Sequence, residues 1–284
     1  MIRTLPKFRF YNFAFGIYVS LFFLFLFAPL VVTCIFAFND SNFPSLPWNG
    51  FTLDWFIADN SERVGIFNDS ENLKSIYNSF KTAFFVTIFS LIVGTYAALI
   101  FERKDFKFKQ FLYFLALTPL VIPGVILGIS LLVSVNDLGL YLDINFGIDL
   151  EILRPSFWLV VIGQFSFITT FVLLVVSARL KKFDVCLEEA SLNLGASMPQ
   201  TIFFIVIPFL KPALIGAAAV AFLMSFENFN TTLFLIGSDT TLPINLYLQV
   251  RDGSTPIINS ISFLLIICTS IIAFFNLIFS KKGK

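Results

Sequence analysis

An all-α polytopic membrane protein is predicted by three features of this sequence. Six stretches stay apolar for the roughly 20 residues that a helix needs to cross a bilayer. Hydrophobic residues make up 57% of the 284 and charged ones only 13%, against about 45–50% and about 25% in a soluble domain. Lys and Arg also gather on alternate connections between the apolar stretches, as spans of fixed orientation require. The expected spans are Phe13–Phe38, Asn78–Phe101, Gln110–Val135, Ser156–Leu180, Ala213–Ile236 and Thr255–Phe279, in one transmembrane domain over residues 1–284.

The first span follows Arg3, Lys7 and Arg9, which superficially suits a signal peptide. Its apolar run is too long for a signal core and no small-residue cleavage site follows, so a retained span is expected. A long connection, 39–77, comes next. It has turn chemistry at Asn39-Asp40-Ser41-Asn42 and Pro44-Ser45-Leu46-Pro47, and aromatic residues at Trp48, Phe51, Trp55 and Phe56. Loops this long are usually functional or disordered, and the aromatics argue against disorder. They either dock a partner or lie in the headgroup belt.

The third span carries Thr118-Pro119-Leu120-Val121-Ile122-Pro123-Gly124 and is expected to kink or break there. The fifth holds Glu227, an acidic residue deep in an apolar stretch. It lies about 14 residues, or roughly 21 Å, from the start of the span. A carboxylate at that depth costs at least about 2.5–3.5 kcal/mol on insertion scales, so it should face the bundle interior or a wet cavity. Two readings follow: a solute or ion contact, or a structural polar pair with Asn228, Asn230 or Gln164.

Orientation follows from the cations. One set of ends holds Arg3, Lys7, Arg9, Arg103, Lys104, Lys107, Lys109, Arg179, Lys181, Lys182, Lys211, Lys281, Lys282 and Lys284. The other holds Arg63, Lys74, Arg154 and Arg251. The first set, with both termini, is expected in the cytoplasm. The outer connections then carry Asp40, Asp54, Asp59, Glu62, Asp69 and Glu71, next Asp137, Asp143, Asp149 and Glu151, and last Asp239 and Asp252. That acidity either favours a cationic solute or the basic rim of a delivering protein, or records only the depletion of Lys and Arg outside.

Several chemistries are excluded. The chain has no histidine, which removes His bases, proton relays and metal ligands. Cys34, Cys186 and Cys268 are far apart and match neither a disulfide framework nor a CxxC metal site. No GxxxxGK[ST] phosphate loop is present, so the chain does not hydrolyse ATP itself. A net charge of +1 gives no footprint for nucleic acid. No cofactor or metal is expected.

One inner connection, 181–212, is neither a span nor an ordinary loop. Glu188 to Pro208, EEASLNLGASMPQTIFFIVIP, carries Glu188-Glu189, a small-residue turn at Gly195-Ala196-Ser197, and an amphipathic run closed by Pro208. It predicts two short surface helices joined at Gly195, a shape suited to a groove in a partner. The spacing Glu189-Ala190-Ser191, three residues, Gly195, nine residues, Ile205, one residue, Ile207-Pro208 resembles the EAA signature of ABC-importer permeases. Ser191 and Ile207 depart mildly from that pattern. The resemblance implies a type I importer permease fold and an ATPase-coupling role for Glu188, Glu189, Ala190, Ser191, Gly195, Ala196, Ser197 and Pro208.

A finer resemblance covers the whole chain. The run from Ser225 to Gly237, then Thr241-Leu242-Pro243-Ile244, Tyr247, Val250-Arg251, Gly253 and Pro256-Ile257-Ile258-Asn259 is similar to the C-type permease subunit of spermidine/putrescine importers. Gly50-Phe51-Thr52 with Trp55, and Arg179 to Asp184, agree. The usual acid pair of the fifth span departs, being Glu227-Asn228 here, and Ser260 replaces the usual Ala. The resemblance implies an inner-membrane permease for putrescine or spermidine. Its implied partners are a dimer of ATP-binding subunits, a second homologous permease and an external, periplasmic solute-binding protein. Glu227, with Phe226, Phe229 and Asn228, would meet an ammonium group by charge pairing and cation–π contact. Another organic cation, ferric iron or a phosphonate remains open as cargo, as does a secondary transporter, for which no inverted repeat is evident.

Overall fold

The structure is a computed structural model that describes residues 9–43, 46–60, 63–148, 150–253 and 256–282. Arg3, Lys7, Pro44, Ser45, Glu62, Asp149, Thr255 and Lys284, named above, lie outside these residues, as do the side chains of Arg9, Glu151, Lys281 and Lys282. Among the described residues the regular elements are all helical. Five helices, Asn12–Phe36, Ser70–Arg103, Gly124–Phe146, Phe157–Leu180 and Met198–Phe226, are long and apolar enough to cross a membrane. The last expected span lies in a helix over Ile257–Lys282, whose described apolar part, Ile257–Ile271, is shorter.

The chain divides into two compact units. One is drawn from Met1–Leu73 and Leu246–Lys284, the other is Lys74–Asn245. The first contains α1 (Arg9–Phe36), α2 (Asp54–Ile57) and α12 (Ile257–Lys282), the labels following chain order. Its outer connection is folded. Trp55 and Phe56 of α2 are buried, and Trp55 Nε1 donates to the Asn39 carbonyl at 2.9 Å. Phe38 stacks on Phe51 and meets Phe56 and Phe263 of α12, with centroids 4.9–5.2 Å apart. Arg63 pairs with Asp40 and Asp54, and the hydrogen bond to Asp40 raises its already high pKa. Trp48 and Phe51 stay exposed.

The second unit is built around α6 (Phe157–Leu180), with twelve buried residues, including Val172, Val176 and Leu180. It packs against α3 (Ser70–Arg103) and α9 (Ile207–Phe226). Small residues set these approaches, as expected where lipid gives helices no hydrophobic reason to associate. A Cβ on Gly94 of α3 would lie 2.8 Å from Val172. Ala217 and Ala221 of α9 are buried in the same core.

Three expected boundaries are corrected. The second span begins eight residues early, at Ser70 rather than Asn78. Asp69 Oδ1 accepts from the N–H groups of Glu71 and Asn72 at 3.0 and 3.1 Å and so caps the helix start. The third span breaks where expected, into α4 (Lys109–Val121) and α5 (Gly124–Phe146) separated by extended Ile122 and by Pro123, but its far end is Phe146 rather than Val135. Proline forces its predecessor out of the helical region. Asp137 and Asp143, expected in a loop, lie within α5. The fifth span starts earlier and ends earlier than Ala213–Ile236. A helix of 29 residues runs from Met198 to Phe226, and a separate α10 (Thr232–Leu235) follows.

Candidate functional site

The break after Phe226 is held by a buried polar chain. Gln164 of α6 is 1% exposed. Its Nε2 donates to Thr232 Oγ1 at 2.8 Å, and Thr232 Oγ1 donates to Asn228 Oδ1 at 3.0 Å. The Ser225 hydroxyl donates to Gln164 Oε1. Asn228 Oδ1 also faces the N–H groups of Thr231 and Thr232 at 3.3 Å. The amide of Asn228 thus takes over where the α9 ladder stops, and Gln164 ties both sides of the break to α6. Gln164 is the eighth residue of α6, about 10 Å along that helix. The break therefore lies within the length of a span helix, where irregular backbone is tolerated only in protein or beside water.

The break in the α4–α5 region meets this one. A Cβ on Gly124 would lie 3.0 Å from Thr231 Oγ1, and one on Gly128 2.9 Å from the Thr231 carbonyl. At Gly128, where the neighbour is backbone, only glycine lets α5 approach so closely.

Glu227 is the C-cap residue of α9 and not a mid-helix residue. Its side chain is exposed and makes no ion pair or hydrogen bond with the described residues. The expected structural pairing with Asn228, Asn230 or Gln164 does not occur; Gln164 and Asn228 satisfy each other through Thr232. A helix C-terminus carries about half a negative charge, so the end of α9 and the Glu227 carboxylate add in sign. Phe226 is half-buried beside it. Its ring stacks over Phe222, centroids 6.1 Å apart, and meets Phe80 of α3 edge-on at 5.1 Å. Phe229 is half-buried within the break. An exposed carboxylate at a negative helix end, next to aromatic rings, can hold an organic cation.

The second expected constellation is α7 (Cys186–Asn193) and α8 (Met198–Thr201). Gly195, at φ +91°, joins them. Its N–H donates to the Leu192 carbonyl and that of Ala196 to the Ser191 carbonyl, at 3.0 and 3.1 Å. This is the Schellman ending of a helix, which calls for glycine at that position. The Ser197 N–H donates to Gln200 Oε1 at 2.8 Å and opens α8. The Ser191 and Thr201 hydroxyls lie 2.9 Å apart and link the two helices.

The run is not closed by Pro208. A π-turn at Ile202–Val206 precedes it, and the helix continues into α9. The wider turn accommodates the donor that proline lacks.

Glu188 and Glu189 part company. Glu189, Ala190, Gly195 and Ser197 are exposed, and Ala196 half-buried. Glu188 is 7% exposed and pairs with Arg103 at the end of α3, Nη2 to Oε1 2.7 Å, out of line for a hydrogen bond. The Arg103 guanidinium also lies 5.4 Å from the Phe183 ring centroid. Sequence reasoning missed Arg103, Ser225, Thr232, Phe80 and the exposed Leu187 and Leu194 of the loop. Polar residues inside apolar spans were the available signal for Ser225 and Thr232.

Residues 90–283 match the family described as Binding-protein-dependent transport system inner membrane component. The chain is similar to the Putrescine transport system permease protein PotI of Escherichia coli K12, 30% identical over 89% of this chain and 85% of that one. It is similar to the Spermidine/putrescine transport system permease protein PotC of the same strain, 27% identical over 89% and 88%. The Ferric transport system permease protein FbpB of Actinobacillus pleuropneumoniae is 28% identical over 84% of this chain but 34% of its own length. A crystal structure of a bacterial ABC transporter involved in the import of the acidic polysaccharide alginate superposes with a TM-score of 0.68 over 99% of both chains at 13% identity, a likeness of fold.

Proposed function

This chain belongs to the binding-protein-dependent transport system inner membrane component family, and on that premise we propose that its cargo is a polyamine, putrescine or spermidine. It is the permease subunit of an ABC importer, a multi-pass inner-membrane component that works with ATPase and solute-binding partners and is not itself an enzyme. The carrying observation for the cargo is Glu227, an exposed carboxylate on the negative end of α9 with Phe226 beside it. The names of PotC and PotI support the same class. An ammonium group would pair with Glu227 while the methylene stem lies on the rings of Phe226 and Phe229. Asn228 would act by shaping the break, since its carbonyl oxygen is already engaged. One carboxylate cannot neutralise a diamine, so further acidic groups are expected on a second, homologous permease across the pathway.

In this reading residues 1–284 act as one permease domain with both termini in the cytoplasm. The 181–212 loop seats its exposed Glu189, Ala190, Gly195 and Ser197 in a groove of one of two ATP-binding subunits. Glu188, Ser191, Ala196 and Pro208 give the element its shape. A periplasmic binding protein delivers the cargo. Closure of the ATPases would move the loop, and α9 would carry that movement to Glu227.

The test is ATPase activity of the reconstituted complex, with putrescine or spermidine on the cognate binding protein. Polyamines should stimulate it, and Glu227→Gln should abolish the stimulation while the complex still assembles. Stimulation that survives Glu227→Gln would remove Glu227 from the cargo site.

A ferric cargo is the second reading, favoured by the FbpB match. A hard metal cation wants several oxygen ligands, and no group of three His, Cys, Asp or Glu converges among the described residues. Stimulation by an iron-loaded binding protein and none by polyamines would establish it.

A further inference from the structure

A cavity of about 630 Å3 lies away from Glu227, between α3 and the helix that runs from α8 into α9. Its walls are apolar: Ile92, Tyr96 and Leu99 on α3, and Phe203, Val206 and Leu214 opposite. It runs along span helices and ends at Arg103, Lys104 and Glu188. Arg103 and Glu188 neutralise each other. Lys104 is exposed and makes no ion pair among the described residues, so the mouth keeps a positive charge. Thr95 Oγ1 and Arg103 Nε, both on lining residues, are buried without hydrogen-bond partners.

We propose that this cavity is a site for one anionic phospholipid, with an acyl chain between α3 and α9 and its phosphate at Lys104 and Arg103. The volume falls in the range of small-ligand sites, about 300–1,000 Å3. The gradient selects the occupant: a long apolar trough at membrane depth closed by an unpaired cation at the helix end. A lipid of the adjoining leaflet carries an apolar chain and an anionic headgroup in that order. Basic pockets between spanning helices commonly take anionic headgroups.

The site has a mechanical consequence. One wall is α3, and the other is the π-turn and the segment leading out of α7. A lipid seated there would hold the Glu188–Pro208 element against α3 and make its mobility depend on lipid composition.

The test uses the assembled complex, purified in mild detergent and exchanged into nanodiscs of phosphatidylcholine with or without phosphatidylglycerol. Native mass spectrometry counts the phosphatidylglycerol retained per copy of this chain. A surface Lys near anionic lipid is worth about a fivefold change in affinity, so Lys104→Gln should lower retention about fivefold. Lys182→Gln, an equal charge change at another exposed lysine, should leave it unchanged. Thr95→Trp, which fills the trough, should abolish retention; Lys104→Gln is an exposed change and guards against misfolding of that variant. Equal loss in Lys104→Gln and Lys182→Gln would overturn the proposal in favour of diffuse surface binding. So would unchanged retention in both groove variants. Crosslinking of Ile92→Cys to a second permease chain would also overturn it, by showing that protein covers the trough.

Discussion

Removing one member of the Arg103–Glu188 pair should release the Glu188–Pro208 element from α3. The side chains are 17% and 9% exposed, so neither charge can recover its hydration in place. Breaking a buried pair from one side costs about 3–5 kcal/mol. Two features put this pair at the lower end: its contact is out of line, and the stranded Arg103 would keep the face of Phe183. About 3 kcal/mol corresponds to roughly 150-fold in the opening equilibrium. Glu188→Gln in the assembled complex should therefore raise amide exchange in residues 186–201 by about two orders of magnitude and leave α6 protected. The double variant Arg103→Met with Glu188→Met, which removes both charges, should recover much of the protection. Wild-type exchange in Glu188→Gln would refute the anchoring role. So would a double variant looser than either single one, because the cost would then not be an uncompensated charge.

The remaining predictions concern the break, the core and the one loop thiol. Gln164→Leu removes two buried hydrogen bonds, each worth about 0.6 kcal/mol on average in membranes; it should destabilise the complex by about 1–2 kcal/mol in thermal melts and weaken cargo stimulation more than basal ATPase. Gly94→Ala drives a Cβ to 2.8 Å from both Cβ and Cγ1 of Val172, an overpacking that costs about 1–3 kcal/mol and should lower the melting temperature; Val172→Ala, which keeps its own Cβ at that distance, should not restore it. The Cys186 thiol is raised above its usual pKa, first by its hydrogen bond to the Asp184 carboxylate and then by that charge. The thiolate fraction at a given pH is therefore reduced, and maleimide labelling in a Cys34→Ser/Cys268→Ser background should be slow at pH 8 and accelerate in Asp184→Asn.

What the sequence disclosed divides along physical lines. Span hydropathy depends on composition over twenty residues and is insensitive to any one of them, so the membrane class and most helices were legible. Span ends depend on single groups. Asp69 starts α3 eight residues early and Asn228 caps α10 once α9 has ended, and neither overrides an average of apolar character; the split at Pro123 was legible because proline acts on its own neighbours. Gly195 was legible because its demand is local: a positive φ at a helix end points to glycine wherever it falls. The partners of Glu188 and Gln164 were not, since Arg103 is 85 positions from Glu188 and Thr232 is 68 from Gln164. Those contacts exist only once α3, α6 and α9 are packed.

The same packing links the two candidate constellations more directly than their separation suggests. The expected surface helix after Gly195 and the expected fifth span are one continuous helix from Met198 to Phe226, 29 residues or about 43 Å at the α-helical rise. One end carries the exposed face of the Gly195 turn and the other carries Phe226 and Glu227. Its middle is held by Leu210, Ala217 and Ala221 against α6, where small side chains present a smooth surface for sliding or rotation. Its far end is held by the hydroxyls and amides of Ser225, Asn228, Thr232 and Gln164. One helix therefore joins the Gly195 turn to Glu227, and the hydrogen bonds of Gln164 tie its far end to α6.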